Sequence, residues 1–118
     1  MSLRHEIALD PPFSLRREDV DDVAVVVVDG EVDMVTAPAI QQELESIAPG
    51  TCVVVDLCDV PFMDSTGLRV LLAARQALDG RVHIACVPGG PVARLFEVAH
   101  VPELLKVFAT RGGALAAF

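Results

Sequence analysis

Residues 61–68, Pro-Phe-Met-Asp-Ser-Thr-Gly-Leu, hold the side chains of this chain that are best placed to do chemistry. The apolar run at 51–57 before them is typical of a buried strand, and apolar residues at spacings of three and four after them predict a helix over 66–78. The hydroxyl of Ser65 is therefore expected where a strand ends and a helix begins. A phosphate on Ser65 would there face the free N–H groups and the positive dipole end of the helix, so the fold would tolerate it.

The same turn has a simpler interpretation as a helix cap with no further role. Asp64, Ser65 and Thr66 are all favoured N-cap residues, and Gly67 is typical of turns. Ser65 comes first and has an unhindered primary hydroxyl, whereas the β-branched Thr66 is expected to point its oxygen at backbone N–H groups. From these residues alone, capping and modification of Ser65 both stay open.

Composition and charge limit the class of protein. The chain has 118 residues, 53% of them hydrophobic, which suits one domain with a single core. Its net charge of −8 argues against nucleic acid and permits a protein partner with a basic face, although an acidic surface that only aids solubility fits as well. No apolar run is long enough to span a membrane and no signal peptide is apparent, so we expect a cytoplasmic protein without a membrane partner.

The cysteines and histidines suggest no metal site and no cofactor. The three cysteines form no C-x-x-C pair, and two of them fall inside predicted strands, which favours buried reduced thiols. The three histidines are scattered along the chain and suggest no ligand set. These residues are Cys52, Cys58, Cys86, His5, His83 and His100.

The order of predicted elements indicates an α/β fold. Strands that alternate with helices imply a mostly parallel sheet, which we expect to contain four or five strands with helices packed on it. We expect one domain over 1–118, with a flexible start at 1–12 and a weakly ordered end at 110–118, because Gly112-Gly113 interrupts any helix. The other predicted elements are an edge strand at 13–17, a turn at 19–22, a central strand at 23–28, a helix capped by Thr36 and stopped by Pro49-Gly50, a strand at 82–87, a helix opened by Gly89-Gly90-Pro91 and ended by Val101-Pro102, and a short strand or turn at 104–108.

No catalytic set of residues emerges from the motifs. An esterase nucleophile elbow would need glycine in place of Met63, and residues 64–67 are one residue too long for an aspartic-protease motif. No P-loop or dinucleotide-binding glycine motif is present. A response-regulator receiver would use Asp56 at the end of its strand as phosphate acceptor, but the acidic pair Asp21-Asp22 precedes a strand instead of following one. We therefore expect the chain to be no enzyme.

Three stretches of the chain resemble STAS domains, the family shared by sulphate transporters and anti-sigma factor antagonists. Residues 30–33, Gly-Glu-Val-Asp, resemble the family's Gly-Glu-Leu-Asp. Residues 53–57 together with 62–68 resemble its signature strand and phosphorylation turn, and residues 91–97 resemble its third helix. The resemblance spans about residues 14–110, and so short a chain looks like a bacterial anti-sigma factor antagonist.

The resemblance implies a partner switch that regulates transcription. The unmodified antagonist binds an anti-sigma factor that is also a serine kinase, and this frees the sigma factor. The kinase phosphorylates Ser65, the complex separates, and a phosphatase resets the chain. The partner-binding residues implied by the resemblance are Asp33, Asp64, Ser65, Thr66, Gly67, Leu68 and Arg69.

One position departs from the family, and one other function stays open. Many antagonists have a small residue where this chain has Arg69, so a bulky cation lies near the phosphorylation turn and could alter the choice of partner. The alternative function is a STAS module that is never phosphorylated and acts as a scaffold or transport-associated adaptor. The hydroxyl of Ser65 favours the switch, because modules outside it often lack the acceptor.

Overall fold

The computed structural model describes residues 12–101 and 104–118. Nearly all of the predicted flexible start, as well as Pro102, lies outside these residues. In chain order the elements are β1 (Phe13–Val20), β2 (Val23–Gly30), α1 (Ala37–Glu45), β3 (Cys52–Asp59), α2 (Ser65–Ala77), β4 (Val82–Ala85), α3 (Pro91–Val98), β5 (Lys106–Phe108) and α4 (Arg111–Ala116).

The strands form one five-stranded sheet in the order β1-β2-β3-β4-β5. β1 pairs with β2 in antiparallel fashion, and the remaining pairs are parallel. The predicted mixed, mostly parallel sheet is confirmed, and the two valine-rich strands β2 and β3 are neighbours as expected. Their apolar runs fit this position because a strand covered on both faces has no side that faces water.

One face of the sheet carries the main hydrophobic core. Alternate residues of the central strands, such as Val26 on β2 and Val55 on β3, are fully buried there. Ile40 of α1, Leu71 of α2 and Phe96 of α3 pack into the same cluster. The three helices therefore cover this face and fix where the loops between strands and helices emerge.

The opposite face is smaller and is covered by α4. Ala114 is fully buried there with alternate residues of β2, β3 and β4, and Leu115 packs against the same cluster. The prediction that Gly112-Gly113 would interrupt any helix at 110–118 is wrong. The Thr110 side chain accepts a hydrogen bond of 3.0 Å from the Gly113 N–H, and the apolar residues that follow bind the helix to the sheet, so capping and packing offset the low helix propensity of glycine.

Several predicted boundaries shift by a few residues. β1 continues to Val20, so the turn predicted at 19–22 is the two-residue hairpin Asp21-Asp22, where both φ angles are positive. β4 ends at Ala85 instead of residue 87, and the last strand is limited to Lys106–Phe108.

Candidate functional site

Asp64, not Thr66, caps the helix α2. Its carboxylate oxygen Oδ1 accepts a hydrogen bond of 2.9 Å from the Thr66 N–H, and the helix begins at Ser65, one residue earlier than predicted. Of the three candidate caps Asp64, Ser65 and Thr66, it is Asp64 that takes this role, because an N-cap side chain bonds to N–H groups that come after it and the other two residues already lie inside the first turn.

Ser65 occupies the first position of α2, and its side chain is exposed to solvent. Thr66 beside it is half-buried. Gly67 and Leu68 are buried, and Leu68 belongs to the main core with 7% exposure. Ser65 is therefore the more accessible of the two hydroxyls, whereas Leu68 holds the turn on the core and offers no open surface.

The loop that contains Asp33 lies directly against the Ser65 turn. Val32 and Met63 form an isolated parallel bridge, in which the Val32 N–H donates to the Phe62 carbonyl at 2.9 Å and the Asp64 N–H donates to the Val32 carbonyl at 3.1 Å. Both loops follow the carboxyl ends of the neighbouring parallel strands β2 and β3, which brings them to one edge of the sheet. The two predicted stretches therefore form one surface.

Asp33 itself holds the approach to α1. Its Oδ1 accepts hydrogen bonds from the Val35 N–H at 2.9 Å and the Thr36 N–H at 3.1 Å. Thr36 stands at the N-cap position as predicted, but its side chain makes no bond to the helix: its hydroxyl donates to the Glu31 carbonyl at 2.8 Å and accepts from the Asp33 N–H at 3.0 Å. These bonds stabilise the observed conformation of the loop.

Three exposed apolar side chains lie in the two loops. No role was expected from the sequence for Met34 and Val35, and Phe62 was included in the motif at 61–68 without being named as a binding residue. Met34 and Val35 are 73% and 70% exposed, and Phe62 is 47% exposed. Rigid loops that present large apolar side chains to water are typical of protein-binding surfaces. The available signal was the Met34-Val35 pair itself, which belongs to no helical or strand period that would bury it. Asp33, Met34, Val35, Phe62, Asp64, Ser65 and Arg69 are called the switch surface below.

The electrostatics of the turn centre on Asp64. Hydrogen bonds from the Thr66 side chain and from the Thr66 and Gly67 backbone hold the pKa of the Asp64 carboxyl below its usual value, with the Arg69 cation adding to the effect. Asp64 therefore carries its full negative charge near neutral pH. Because the Thr66 N–H is already bonded to this carboxylate, the start of α2 is less free to receive a phosphate than the sequence suggests.

Asp56, the acceptor that a receiver domain would use, is committed to a different role. Its side chain lies on the face covered by α4, its Oδ2 accepts from the Arg111 Nε at 2.8 Å, and its Oδ1 accepts from the Cys58 N–H at 3.0 Å. Burial by itself would raise the pKa of Asp56, but the bonds to Cys58 and Arg111 outweigh it and lower the pKa. A carboxylate that is 7% exposed and ion-paired is poorly placed to attack a phosphorus atom.

The described residues contain no group of three or more histidine, cysteine, aspartate or glutamate side chains that could hold a metal ion. All three cysteines are free thiols. Burial and the neighbouring Asp56 raise the pKa of Cys58 to about 12, which leaves this thiol protonated and unreactive. Within 12–101 and 104–118, no helix is long and apolar enough to cross a membrane.

The fold and the turn identify the class of protein. The family model of the STAS domain matches residues 14–114, and the chain belongs to that family. The anti-sigma-B factor antagonist of Listeria monocytogenes serovar 1/2a is 30% identical over 99 residues, which cover 80% of this chain and 86% of the relative.

Solved structures agree with this assignment. The crystal structure of an anti-sigma factor antagonist from Mycobacterium paratuberculosis superposes with a TM-score of 0.84 at 30% identity, and covers 94% of this chain and 97% of that one. The structure of the Bacillus cell fate determinant SpoIIAA in its phosphorylated form superposes with a TM-score of 0.65 at 18% identity over 88% of this chain and 98% of that one. The second likeness shows the shared fold.

Proposed function

We propose that this chain is an anti-sigma factor antagonist that works by binding, not by catalysis, in the bacterial cytoplasm. Family membership and a relative of that name with 30% identity support this function. The partner is an anti-sigma factor, and occupation of that partner by the antagonist frees a sigma factor for transcription. The observation that carries the proposal is the exposed Ser65 hydroxyl at the start of α2, within a rigid surface of paired loops.

The switch surface provides both parts of a docking site. Met34, Val35 and Phe62 supply exposed apolar area, which gives binding energy when water is removed from it. Asp33 and Asp64 supply negative charge beside them, which suits a partner with a basic face. The backbone bonds between the two loops keep these groups in place before binding, and this lowers the entropy cost of association.

Phosphorylation of Ser65 is the proposed off-switch. The partner kinase transfers the γ-phosphoryl group of ATP to the Ser65 Oγ: the hydroxyl loses its proton to a kinase base, a new O–P bond forms, and ADP leaves with the bridging oxygen. A phosphatase reverses this when water attacks the phosphorus and restores the hydroxyl with release of inorganic phosphate. Neither step requires a cofactor in this chain. SpoIIAA, which shares the fold, exists in a phosphorylated form.

The charge of the phosphate explains why the complex would separate. Phosphate adds about −1.5 to −2 charges in the middle of the switch surface, beside Asp64. A bound partner must either remove water from this charge or place beside it groups that complement a neutral hydroxyl and not an anion. A loss of about 2–4 kcal/mol corresponds to binding weakened by roughly 30- to 1000-fold.

The decisive experiment compares three serine variants with the partner kinase and ATP. Ser65→Ala should stay folded, take up no phosphate and bind the anti-sigma factor constitutively. Ser65→Asp should fold but bind poorly, because it places a negative charge on the surface, although this is only part of the charge of a phosphate. Ser46→Ala is the matched control, since Ser46 is also exposed but lies at the far end of α1, and it should behave as wild type.

Mass spectrometry of the phosphate and calorimetry of the binding read out the result. Phosphate on Thr66 alone or on Asp56 would overturn the assignment of Ser65. Normal partner binding without phosphate on any residue would point instead to the unphosphorylated scaffold or transport-associated module.

A further inference from the structure

The phosphate on Ser65 would arrive in a crowded electrostatic environment. The Asp64 carboxylate is the adjacent residue, it carries a full negative charge near neutral pH, and it already accepts the Thr66 N–H at the start of α2. At least one N–H donor of the helix N-terminus, that of Thr66, is therefore already used by Asp64 and is not free to bind the phosphate. A phosphate at this position needs another source of positive charge, or it is repelled by Asp64.

Arg69 is placed to supply that charge. It lies four residues after Ser65 on the same helix, and both side chains are exposed. Residues at i and i+4 are neighbours on a helix surface, and long helical side chains lean back over the turn that precedes them. The guanidinium of Arg69 can therefore reach over the first turn of α2, where the Ser65 hydroxyl emerges.

The electrostatics of the unmodified chain agree with this direction. The Arg69 cation lowers the pKa of Asp64, so its charge is already felt at the first turn. The other cation of α2 is Arg75, ten residues after Ser65, and at 1.5 Å of rise per residue it lies about 15 Å away along the axis. Within α2, Arg69 is thus the cation within reach of the phosphate.

We propose that Arg69 binds the phosphate of phosphorylated Ser65 within the same chain, as a clamp that holds it over the first turn of α2. The planar guanidinium can donate two parallel N–H groups to phosphate oxygens, which a lysine cannot do. In this role Arg69 offsets the repulsion from Asp64 and fixes the anion where a partner would meet it. The inference rests on the proposed function only in taking Ser65 as the acceptor.

The test uses the full chain with phosphoserine installed at position 65 during synthesis, so that no kinase is needed. The second ionisation of the phosphate is followed by phosphorus NMR as a function of pH. A cation bound to the phosphate favours the dianion, so its second pKa should be about half a pH unit lower in the wild-type background than in Arg69→Gln. Arg69→Lys should retain part of this difference, because it keeps the charge but loses the paired donors.

Arg75→Gln is the matched control, because it removes the same charge from the same helix. It should leave the titration close to wild type, and the effect of Arg69→Gln should shrink in about 1 M salt, where exposed charges are screened within ~3 Å. A titration in which Arg69→Gln equals wild type, or shifts no more than Arg75→Gln, overturns the clamp. Failure of a kinase to modify Ser65 would instead count against the proposed function and would leave this titration unchanged.

Discussion

Asp64 is the residue on which the geometry of the Ser65 turn depends. Its carboxylate caps α2 through the Thr66 N–H, and its own N–H is bonded to the Val32 carbonyl of the neighbouring loop. It therefore links the helix start to the Asp33 loop as well as ending the strand-to-helix connection. Because Asp64 provides the capping bond, the Ser65 side chain is not needed to stabilise the helix start and can stay exposed.

We expect Asp64→Ala to lower the free energy of unfolding by about 1 kcal/mol, the usual cost of removing an N-cap side chain. Ser65→Ala, one residue further, should change it by less than about 0.5 kcal/mol, because its exposed side chain makes no capping bond. Urea unfolding monitored by circular dichroism measures both. Equal costs for the two variants would show that Asp64 is not the cap.

The lowered pKa of Asp64 determines how the stability difference between wild type and Asp64→Ala depends on pH. A carboxyl whose pKa is lower in the folded state stabilises the fold fully above its unfolded pKa, ~3.9, and loses this contribution as the pH falls through the folded value. The stability difference between wild type and Asp64→Ala should therefore be constant near neutrality and should narrow below about pH 4. A difference that grows on acidification would contradict this.

At the scale of elements, the switch surface depends on how closely α2 approaches the Val32–Met63 bridge. A Cβ atom on Gly67 would lie 2.7 Å from the Val32 Cγ1 and 2.9 Å from the Met63 Cγ. Glycine at this position of the helix is thus required by close packing and not by an unusual φ angle. Its absence of a side chain lets the two loops and the helix meet.

Gly67→Ala should destabilise the chain by roughly 1–3 kcal/mol through overpacking, and should also weaken partner binding because it displaces the loops. Gly112→Ala in α4 is the matched control: a Cβ there meets no atom within 4 Å, so the better helix propensity of alanine should stabilise the chain by up to about 1 kcal/mol. Thermal unfolding of both variants checks the opposite signs. Stabilisation by Gly67→Ala would show that the loops can move aside at little cost.

The elements differ in how well the sequence predicts them, and the physical reasons are local. β2 and β3 were predictable because continuous valine runs have one stable environment, a strand covered on both faces. α4 was not predicted, because helix propensity considers each residue by itself. The stability of this helix comes from the Thr110 cap and from the packing of Ala114 on strands that are distant in sequence.

The site divides in the same way. The place of the Ser65 turn between a strand and a helix follows from the sequence pattern, whereas Asp33 was expected at the same surface only from the resemblance to STAS domains. Which of three adjacent polar residues caps α2 depends on where the backbone changes from extended to helical. Asp64 is the last extended residue, and Ser65 and Thr66 are already helical, so Asp64 is the cap. The exposure of Met34 and Val35 depends on the Asp33 hydrogen bonds, which only the folded loop creates.

At the scale of the whole molecule, one ion pair joins the end of the described chain to its centre. The Nε–H of Arg111, at the start of α4, donates a hydrogen bond of 2.8 Å to the carboxylate of Asp56 on the central strand β3. The Nη1 of the same arginine lies 3.4 Å from the Glu18 carboxylate on β1. The His83 Nδ1 and the Ala114 carbonyl, 2.9 Å apart, tie the same helix to β4. The helix α4 is thus held on the smaller sheet face by polar contacts that surround its apolar contact with the sheet.

Arg111→Ala should therefore destabilise the chain by about 1–3 kcal/mol, because it leaves the Asp56 charge buried without its partner. Arg16→Ala is the matched control: Arg16 bonds to Glu18 at 2.8 Å, but its side chain is 60% exposed, and solvent-exposed pairs contribute ~0–1 kcal/mol. Urea unfolding at pH 7 should separate the two variants clearly.

The lowered pKa of Asp56 sets the pH at which this difference disappears. Its ion pair is fully formed above the unfolded pKa of the carboxyl, ~3.9, and is lost as the pH falls through the lower folded value. Wild type should lose stability on acidification more steeply than Arg111→Ala, until the two converge once Asp56 is protonated in the folded state. If the stability of Arg111→Ala stayed below that of wild type by the same amount at every pH, the cost would come from lost packing of the arginine stem on the sheet and not from the charge of Asp56.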